Sequence, residues 1–411
     1  MNKEQRAKNK AKATGKRVGF LIFLFYLLPL NLSFGIDFGV FLDQTAGGGG
    51  NGDESSFDYS GILVPHIAFY WGDDGELFVS AGARADYLNE EWTIVPELLR
   101  TELSFYFGRG ALTAGRMQYS DPLGYVADGL FDGARFGYDT NAGTFGAGAW
   151  YTGLLYKERA YIVMTAKDVE SYNKKLDYSD FANTYFAPRR FVAALDWENL
   201  SLAHLFTAKA AVIGQFDLTG EQLNSQYLVG NFTMPYKAFA FNLGGCLELI
   251  QSKGDSGTAF SGDLGASWQL PTALSQRLLF LARYASGSVG DGSNSVKAFL
   301  PVTSKTQGYV LKANLPGITL LSLDYAARLH RSCSVELSSN YFIRNDTETY
   351  SGLGKNGYLL GNEFYGRVFW SPVSDFAFNF GGGAFLPSMG NVAPDVKALW
   401  RGEANAIISL Y

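Results

Sequence analysis

The sequence has few of the residues that build disulfide-bonded domains, metal sites or catalytic centres. Two cysteines, Cys246 and Cys333, lie far apart in strand-like stretches, so we expect unpaired thiols rather than a disulfide framework. The three histidines, His66, His204 and His330, are also widely separated and show no metal-ligand spacing. None of them lies beside a serine in an elbow or triad pattern. The sequence therefore predicts no metal, no other cofactor and no enzyme activity.

Long apolar runs are missing from most of the chain. Between residues 36 and 411, no apolar stretch is long enough to cross a membrane as a helix. Aromatic residues nevertheless make up 15% of the chain, which also contains 48 glycines. This mixture is typical of short strands and turns, with aromatic side chains at membrane interfaces.

The first 35 residues have a different composition. Seven basic residues and one acidic residue precede the apolar run Val18–Leu32, which Pro29 interrupts, and the small residues Ser33 and Gly35 follow. This order predicts a signal peptide over residues 1–35, cleaved near Gly35, rather than a retained anchor. No cysteine follows the cut, which disfavours a lipoprotein. Cleavage would move the net charge from −5 to −11, and so acidic a protein is not expected to bind nucleic acid.

Four segments between Leu77 and Asp139 alternate apolar and polar residues with a period of two. Such alternation predicts strands with one apolar and one polar face. Each segment carries one arginine, which we assign to the polar face: Arg84, Arg100, Arg116 and Arg135. A soluble sandwich would bury the apolar faces against a second sheet, whereas a membrane barrel turns them toward lipid and keeps the polar faces for a water-filled lumen.

The remainder of the sequence favours the barrel. The same alternation continues to the C-terminus, and short turns alternate with long polar loops, as in outer-membrane barrels. We predict an all-β fold: a single transmembrane antiparallel β-barrel over residues 36–411 with 18 strands, or 16 if two doubtful strands are removed. The glycine run Gly47–Gly52 is predicted to be a flexible loop, and Tyr156–Ala187 and Ser286–Pro316 are predicted to be large loops.

The last strand, Trp400–Tyr411, ends in an aromatic residue. It resembles the terminal strand that the barrel-assembly machinery of the outer membrane recognises. The resemblance implies that this machinery is a partner through the strand that ends at Tyr411.

Two internal stretches suggest a narrower resemblance. Gly115-Arg116-Met117, followed by Gly129-Leu130-Phe131-Asp132-Gly133-Ala134-Arg135, resembles a stretch of porin-like barrels, including the alginate-export type. The strand that begins Leu360-Gly361-Asn362-Glu363 resembles their closing hairpin. The resemblance implies an 18-stranded porin-like architecture and a role in transport, without alginate specificity.

Charged residues on the polar faces are the candidate pore lining. Arginines dominate the strands near the start of the chain, and acidic residues are frequent on those near its end. The predicted set is Arg84, Arg100, Glu102, Arg116, Arg135, Asp324, Glu336, Glu363 and Arg367. The loop Ser120–Gly129, with Asp121 and Asp128, is the third loop on the long side, and we expect it to fold inward as a constriction. Opposed charges there would orient polar solutes; alternatively, they pair with one another and brace the wall.

The sequence thus predicts a channel in the outer membrane of a diderm bacterium. Its partners would be membrane lipids and small hydrophilic solutes, with anionic solutes included. Two alternatives stay open at this point. The large loops suggest a surface adhesin or antigen, and the arginines suggest a selective exporter or importer of an anionic polymer or nutrient.

Overall fold

A computed structural model describes residues 34–52, 54–88, 90–288, 296–354 and 356–410. Most of the predicted signal peptide (residues 1–33) and the terminal Tyr411 lie outside these residues. Eighteen long strands make up the fold: β1 (Phe34–Gly50), β2 (Ser55–Trp71), β3 (Gly75–Leu88), β4 (Glu91–Phe107), β5 (Gly110–Ser120), β6 (Asp128–Thr140), β7 (Gly143–Tyr151), β8 (Arg190–Leu202), β9 (Phe206–Asp217), β10 (Leu223–Tyr236), β11 (Phe239–Ser252), β12 (Asp255–Gln269), β13 (Arg277–Ala285), β14 (Ile318–His330), β15 (Cys333–Arg344), β16 (Leu359–Val373), β17 (Phe376–Leu386) and β18 (Leu399–Leu410).

Each strand pairs antiparallel with its neighbours in sequence, and β18 pairs with β1. The sheet is therefore a closed barrel of 18 strands, which confirms the predicted fold and strand number. Closure leaves the sheet without a free first or last strand, so no edge is open to pairing along its full length.

The glycine run was the clearest error of the sequence prediction. The flexible loop predicted at Gly47–Gly52 is wrong, because β1 continues to Gly50 and pairs on both sides. Gly47, for example, is opposite Asp58 of β2 and Glu403 of β18. Glycine disfavours strands when only its own propensity is considered, but two neighbouring strands supply a full set of hydrogen bonds here.

The long connections lie at one end of the barrel. Residues 121–127, 152–189, 286–317, 345–358 and 387–398 form them, whereas the other end has turns as short as 108–109 and 141–142. The connection 152–189 contains three short helices, α1 (Lys157–Ala160), α2 (Ala166–Asn173) and α3 (Phe181–Thr184). Within the described ranges, no helix is long and apolar enough to span a membrane.

The outer face of the barrel is apolar. Large side chains alternate outward along the strands, and many are more than half exposed, such as Phe38 (64%), Leu195 (64%) and Leu264 (56%). In water, so extensive an apolar surface would be strongly unfavourable. The same surface suits the acyl chains of a bilayer, which is the environment expected for a barrel with an apolar band.

Part of the inner face is apolar as well. On β5–β13 a buried cluster faces the lumen and packs against the long connections; it includes Met117, Trp150, Ile213 and Tyr227 from strands, and Tyr125, Phe299 and Val302 from connections. The sequence interpretation, with apolar faces toward lipid and polar faces inward, therefore holds for only part of the circumference. The rest of the lumen, along β14–β18 and β1–β4, carries most of the charged groups described below.

Candidate functional site

The connection 121–127 folds into the lumen from the end of β5. Asp121 organises it, because its carboxylate accepts hydrogen bonds from the backbone N–H groups of Leu123, Gly124, Val126 and Ala127 at 2.8–3.2 Å. Burial raises the pKa of Asp121, and the four N–H groups act in the opposite direction. Asp121 therefore shapes the backbone of this connection, and its buried carboxylate is not open to the lumen.

This connection reaches strands on the far side of the lumen. Asn231 Nδ2 on β10 donates to the carbonyl of Pro122 at 2.8 Å. The Tyr125 hydroxyl lies 3.2 Å from Ser261 Oγ on β12, and the Arg283 guanidinium lies over the Tyr125 ring at 4.5 Å. The connection 121–127 therefore extends across the lumen and contacts β10, β12 and β13.

The connection 286–317 crosses the lumen and contacts the connection 121–127. The backbone N–H of Val302 donates to the carbonyl of Val126 at 2.7 Å. Asp128, the first residue of β6, exchanges hydrogen bonds with Thr303 and forms an ion pair with Lys305. The predicted constriction residue Asp128 therefore joins two connections within the lumen.

Glu363 on β16 holds the other side of this connection. Its carboxylate accepts hydrogen bonds from the backbone N–H groups of Tyr309, Val310 and Leu311 at 2.7–2.9 Å, and from Asn340 Nδ2 at 3.2 Å. The side chain is fully buried. Glu363 faces inward as predicted, but the connection covers it.

The connection 152–189 is fixed to the wall by buried charges. Arg84 bonds Asp86, Glu97 and Glu158 at 2.8–3.3 Å, and its guanidinium lies over the ring of Tyr156. Within the connection, Lys157 donates to the carbonyl of Ser171 at 2.9 Å, and burial lowers the pKa of its ammonium group. At the base, the fully buried Arg190 pairs with Asp168 at 2.5 Å.

Two of the predicted arginines keep substantial exposure toward the lumen. Arg100 forms a bidentate ion pair with the buried Glu102, with hydrogen bonds of 2.6 and 2.7 Å, and the Arg100 side chain is nevertheless 45% exposed. Arg135 pairs with Asp196 of β8 at 2.5 Å and is 35% exposed. Both arginines line a recess of about 190 Å³ in the inner wall, together with Thr113. Among the five predicted arginines, these two have the most exposed side chains.

Arg116 occupies a different position. Hydrogen bonding between β4 and β5 stops at the pair Thr101 and Arg116, and above it the two strands separate. Arg116 bridges the gap: its guanidinium bonds both oxygens of Asp132 at 2.7 and 2.8 Å, the Leu98 carbonyl at 2.5 Å and the Leu154 carbonyl at 2.9 Å. Its side chain is 7% exposed, so its role is to hold the barrel wall together.

The same gap leaves carbonyl groups of β4 without strand partners, and side chains cover them. Tyr178 donates to the carbonyl of Ile94, and Tyr185 donates to that of Pro96 at 2.7 Å. With the Arg116 contact to Leu98, three alternate carbonyls of one strand edge are satisfied by side chains. We call this set, Tyr178, Tyr185 and Arg116 on Ile94, Pro96 and Leu98, the β4 edge seal.

The remaining predicted residues lie on the inner faces of β14–β16. Asp324 accepts a hydrogen bond from Ser322 at 3.0 Å. Glu336 is half-buried and lies opposite Arg367 in the strand register. Arg367 lies over the ring of Tyr309 at 4.0 Å and 3.7 Å from Glu403.

Sequence reasoning missed several lumen charges on β1, β2 and β18. Arg401 bonds both oxygens of Asp58 at 2.9 and 3.0 Å and lies 3.4 Å from Glu403. Asp58 was assigned to no lumen face, because the glycine run before it was interpreted as a loop. The signal was present in the polar face of the last strand, where Arg401, Glu403 and Asn405 alternate.

Comparisons with known proteins give similarity in fold without similarity in sequence. No protein-family model and no curated protein matches the chain. Three similar solved structures, all from Pseudomonas aeruginosa, are the outer membrane protein OprD (TM-score 0.57, 12% identity, covering 91% of this chain and 93% of that one), the outer membrane protein OpdK (0.59, 9%, 92% and 98%) and OccK2, or OpdF, in complex with glucuronate (0.59, 8%, 91% and 98%). At these identities the likeness shows the fold: a porin-like barrel.

Proposed function

We propose that this protein is an outer-membrane channel for small hydrophilic solutes, with small anions among them. The observation that carries the proposal is the lumen itself: a closed barrel with an apolar outer face, whose inner wall carries partly exposed charges such as Arg100, Arg135 and Arg367. Water and solutes would pass beside these charges, through the space that the apolar cluster and the inward connections leave.

The likeness in fold to OprD and OccK2 supports a porin rather than a soluble barrel. The finer resemblance to alginate-export barrels stays a prediction. So do export with cleavage near Gly35 and recognition of the strand that ends at Tyr411 by the assembly machinery. Localisation in the outer membrane belongs to the same proposal, since the apolar outer face needs a bilayer.

The adhesin alternative would require the large connections to project freely. Residues 152–189 and 286–317 are instead bound to the wall through the buried Arg190 and Glu363, and to each other through the Ser304 N–H, which donates to the Tyr161 carbonyl at 2.9 Å. This arrangement favours a role in shaping the lumen. Selective transport of an anionic polymer stays an alternative, and a solute panel distinguishes it.

Purified barrel in planar bilayers is expected to give stepwise single-channel currents. Glucuronate is a suitable first solute, because OccK2 was solved in complex with it. A concentration-dependent reduction of the potassium chloride current by glucuronate would identify small carboxylates as solutes. Block only by a long polyanion would favour the polymer alternative, and a correctly folded barrel without any current would refute the channel.

Charge reversal tests which arginines the ions meet. The double substitution Arg100→Glu and Arg135→Glu is expected to shift the reversal potential in a potassium chloride gradient toward cation preference, since both side chains are partly exposed to the lumen. The shift should grow at low ionic strength, where the screening length rises from about 10 Å at 0.1 M to about 30 Å at 0.01 M. Arg109→Glu, in the exposed turn between β4 and β5, is the control. An equal shift of the reversal potential in the control would show that Arg100 and Arg135 do not determine the charge selectivity of the pore.

A further inference from the structure

Two ion pairs in the lumen are built in the same way, and each one spans three strands. Arg135 on β6 reaches Asp196 on β8 across β7, and Arg401 on β18 reaches Asp58 on β2 across β1. In both cases the arginine lies opposite one glycine of the middle strand, and the acid lies opposite the glycine two positions earlier. These glycines are Gly148 and Gly146 on β7, and Gly49 and Gly47 on β1.

The missing side chains make room for the pairs. A Cβ atom at Gly146 would lie within 3.0 Å of Asp196 Oδ1 and Arg135 Nη2. At Gly47, a Cβ atom would lie 2.8 Å from Arg401 Nη2 and 3.1 Å from Asp58 Oδ2. With any larger residue, the pair could not lie flat on the middle strand and would have to lift into the lumen or separate.

A third glycine pair lies under a related contact. Arg367 on β16 and Glu403 on β18 both lie opposite Gly381 of β17, and the ring of Tyr365 covers Gly381 and Gly383. Glu403 also lies 3.4 Å from Arg401. The four charges Arg367, Glu403, Arg401 and Asp58 therefore form a continuous chain over five strands, across the junction of β18 with β1.

We infer that the Gly-x-Gly segments 47–49 and 146–148 are positioning elements of the pore, whereas Gly381 and Gly383 make room for the ring of Tyr365. Each of the first two segments holds charged side chains flat against the wall and in mutual contact, so their glycines determine both the charge pattern and the open cross-section that a solute meets. The part about solutes rests on the proposed channel function, whereas the part about the ion pairs does not.

The first test measures the ion pair and needs no conduction. A double-mutant cycle of Arg135→Gln and Asp196→Asn, read as the free energy of unfolding of the barrel in detergent, gives the coupling between the two side chains. The coupling is expected to be present in the natural protein and lost in a Gly146→Val background, with Gly146→Ala as a smaller substitution if the valine variant does not fold. Coupling that persists unchanged in both backgrounds would overturn the inference.

Gly137→Val is the matched control. Gly137 lies directly opposite Gly146 on the neighbouring strand β6, and a Cβ atom there would have nothing within 4 Å. The control adds the same side chain to the same inner face and should leave the coupling intact.

Single-channel currents give the second readout. Gly146→Val is expected to lower the conductance more than Gly137→Val does, because it displaces two charged side chains into the lumen. Equal conductance in the two variants, together with intact coupling, would contradict the inference. If the natural protein and both variants fail to conduct while the coupling is lost in Gly146→Val as expected, the channel is refuted and the positioning role of the glycines stays supported.

Discussion

Replacing Glu363 by alanine is expected to release the connection 286–317 from the wall. The carboxylate binds three consecutive backbone N–H groups of this connection and the amide of Asn340. A buried donor that loses its partner costs about 1–3 kcal/mol, so losing three of them should cost several times that unless the connection moves out to water. We expect it to move. Glu363→Gln should have a smaller effect in the same direction, because the amide keeps one acceptor oxygen while its NH2 group faces the remaining donors.

Limited trypsin digestion measures this release. Lys305 and Lys312 lie in the connection, and cleavage after them, followed by mass spectrometry, should be much faster in the Glu363 variants. Currents should become noisier or larger in the same proteins, because the connection occupies part of the lumen. Glu336→Ala is the control: it removes an inward, half-buried acid from the neighbouring strand. Equal cleavage rates in the Glu363 and Glu336 variants would show that Glu363 is not the anchor.

Arg116→Ala is expected to cost about 3–5 kcal/mol of unfolding free energy, the range for breaking one partner of a buried ion pair. The substitution leaves Asp132 without its two hydrogen bonds and removes the contact between the separated strands β4 and β5. Denaturant unfolding in detergent, followed by the mobility of the folded barrel on gels, provides the measurement.

Two further variants make the Arg116 result specific. Arg109→Ala, in an exposed turn of the same hairpin, should change the stability by no more than about 0.5 kcal/mol. The double substitution Arg116→Met and Asp132→Leu removes both charges and should recover part of the lost stability, since apolar pairs often replace buried ion pairs at little cost. The Leu98 and Leu154 carbonyls still lose their donor in this variant. If Arg116→Ala is as stable as Arg109→Ala, Arg116 does not hold the wall together.

Period-two alternation was sufficient to predict the barrel and its 18 strands. It was insufficient where local propensity and tertiary context disagree, as at Gly47–Gly50, whose strand depends on partners on β2 and β18. Alternation also assigns two faces to a strand without saying what each contacts. Met117 and Tyr119 face inward and pack with the inner cluster, whereas Arg116, on the opposite face of the same strand, bridges the wall.

The candidate site was predictable by residue type and much less by role. The sequence identified Arg100 and Arg135 as inward charges, and both are partly exposed there. It could not identify the partner of Arg135, because Asp196 is separated from Arg135 by a whole strand and 61 positions in sequence. Nor could it distinguish Glu363, buried beneath a connection, from an acid open to solvent, since that depends on where residues 309–311 lie.

The β4 edge seal also affects how this protein can be engineered. Three main-chain carbonyls of β4 depend on side chains, and two of those side chains, Tyr178 and Tyr185, belong to the connection 152–189. A truncated protein without that connection would therefore carry a strand edge with unpaired carbonyl groups in the barrel wall, which is unfavourable. Such an edge can pair with a strand of another molecule. We therefore expect shortened versions to form oligomers through strand pairing, rather than monomeric barrels with wider pores.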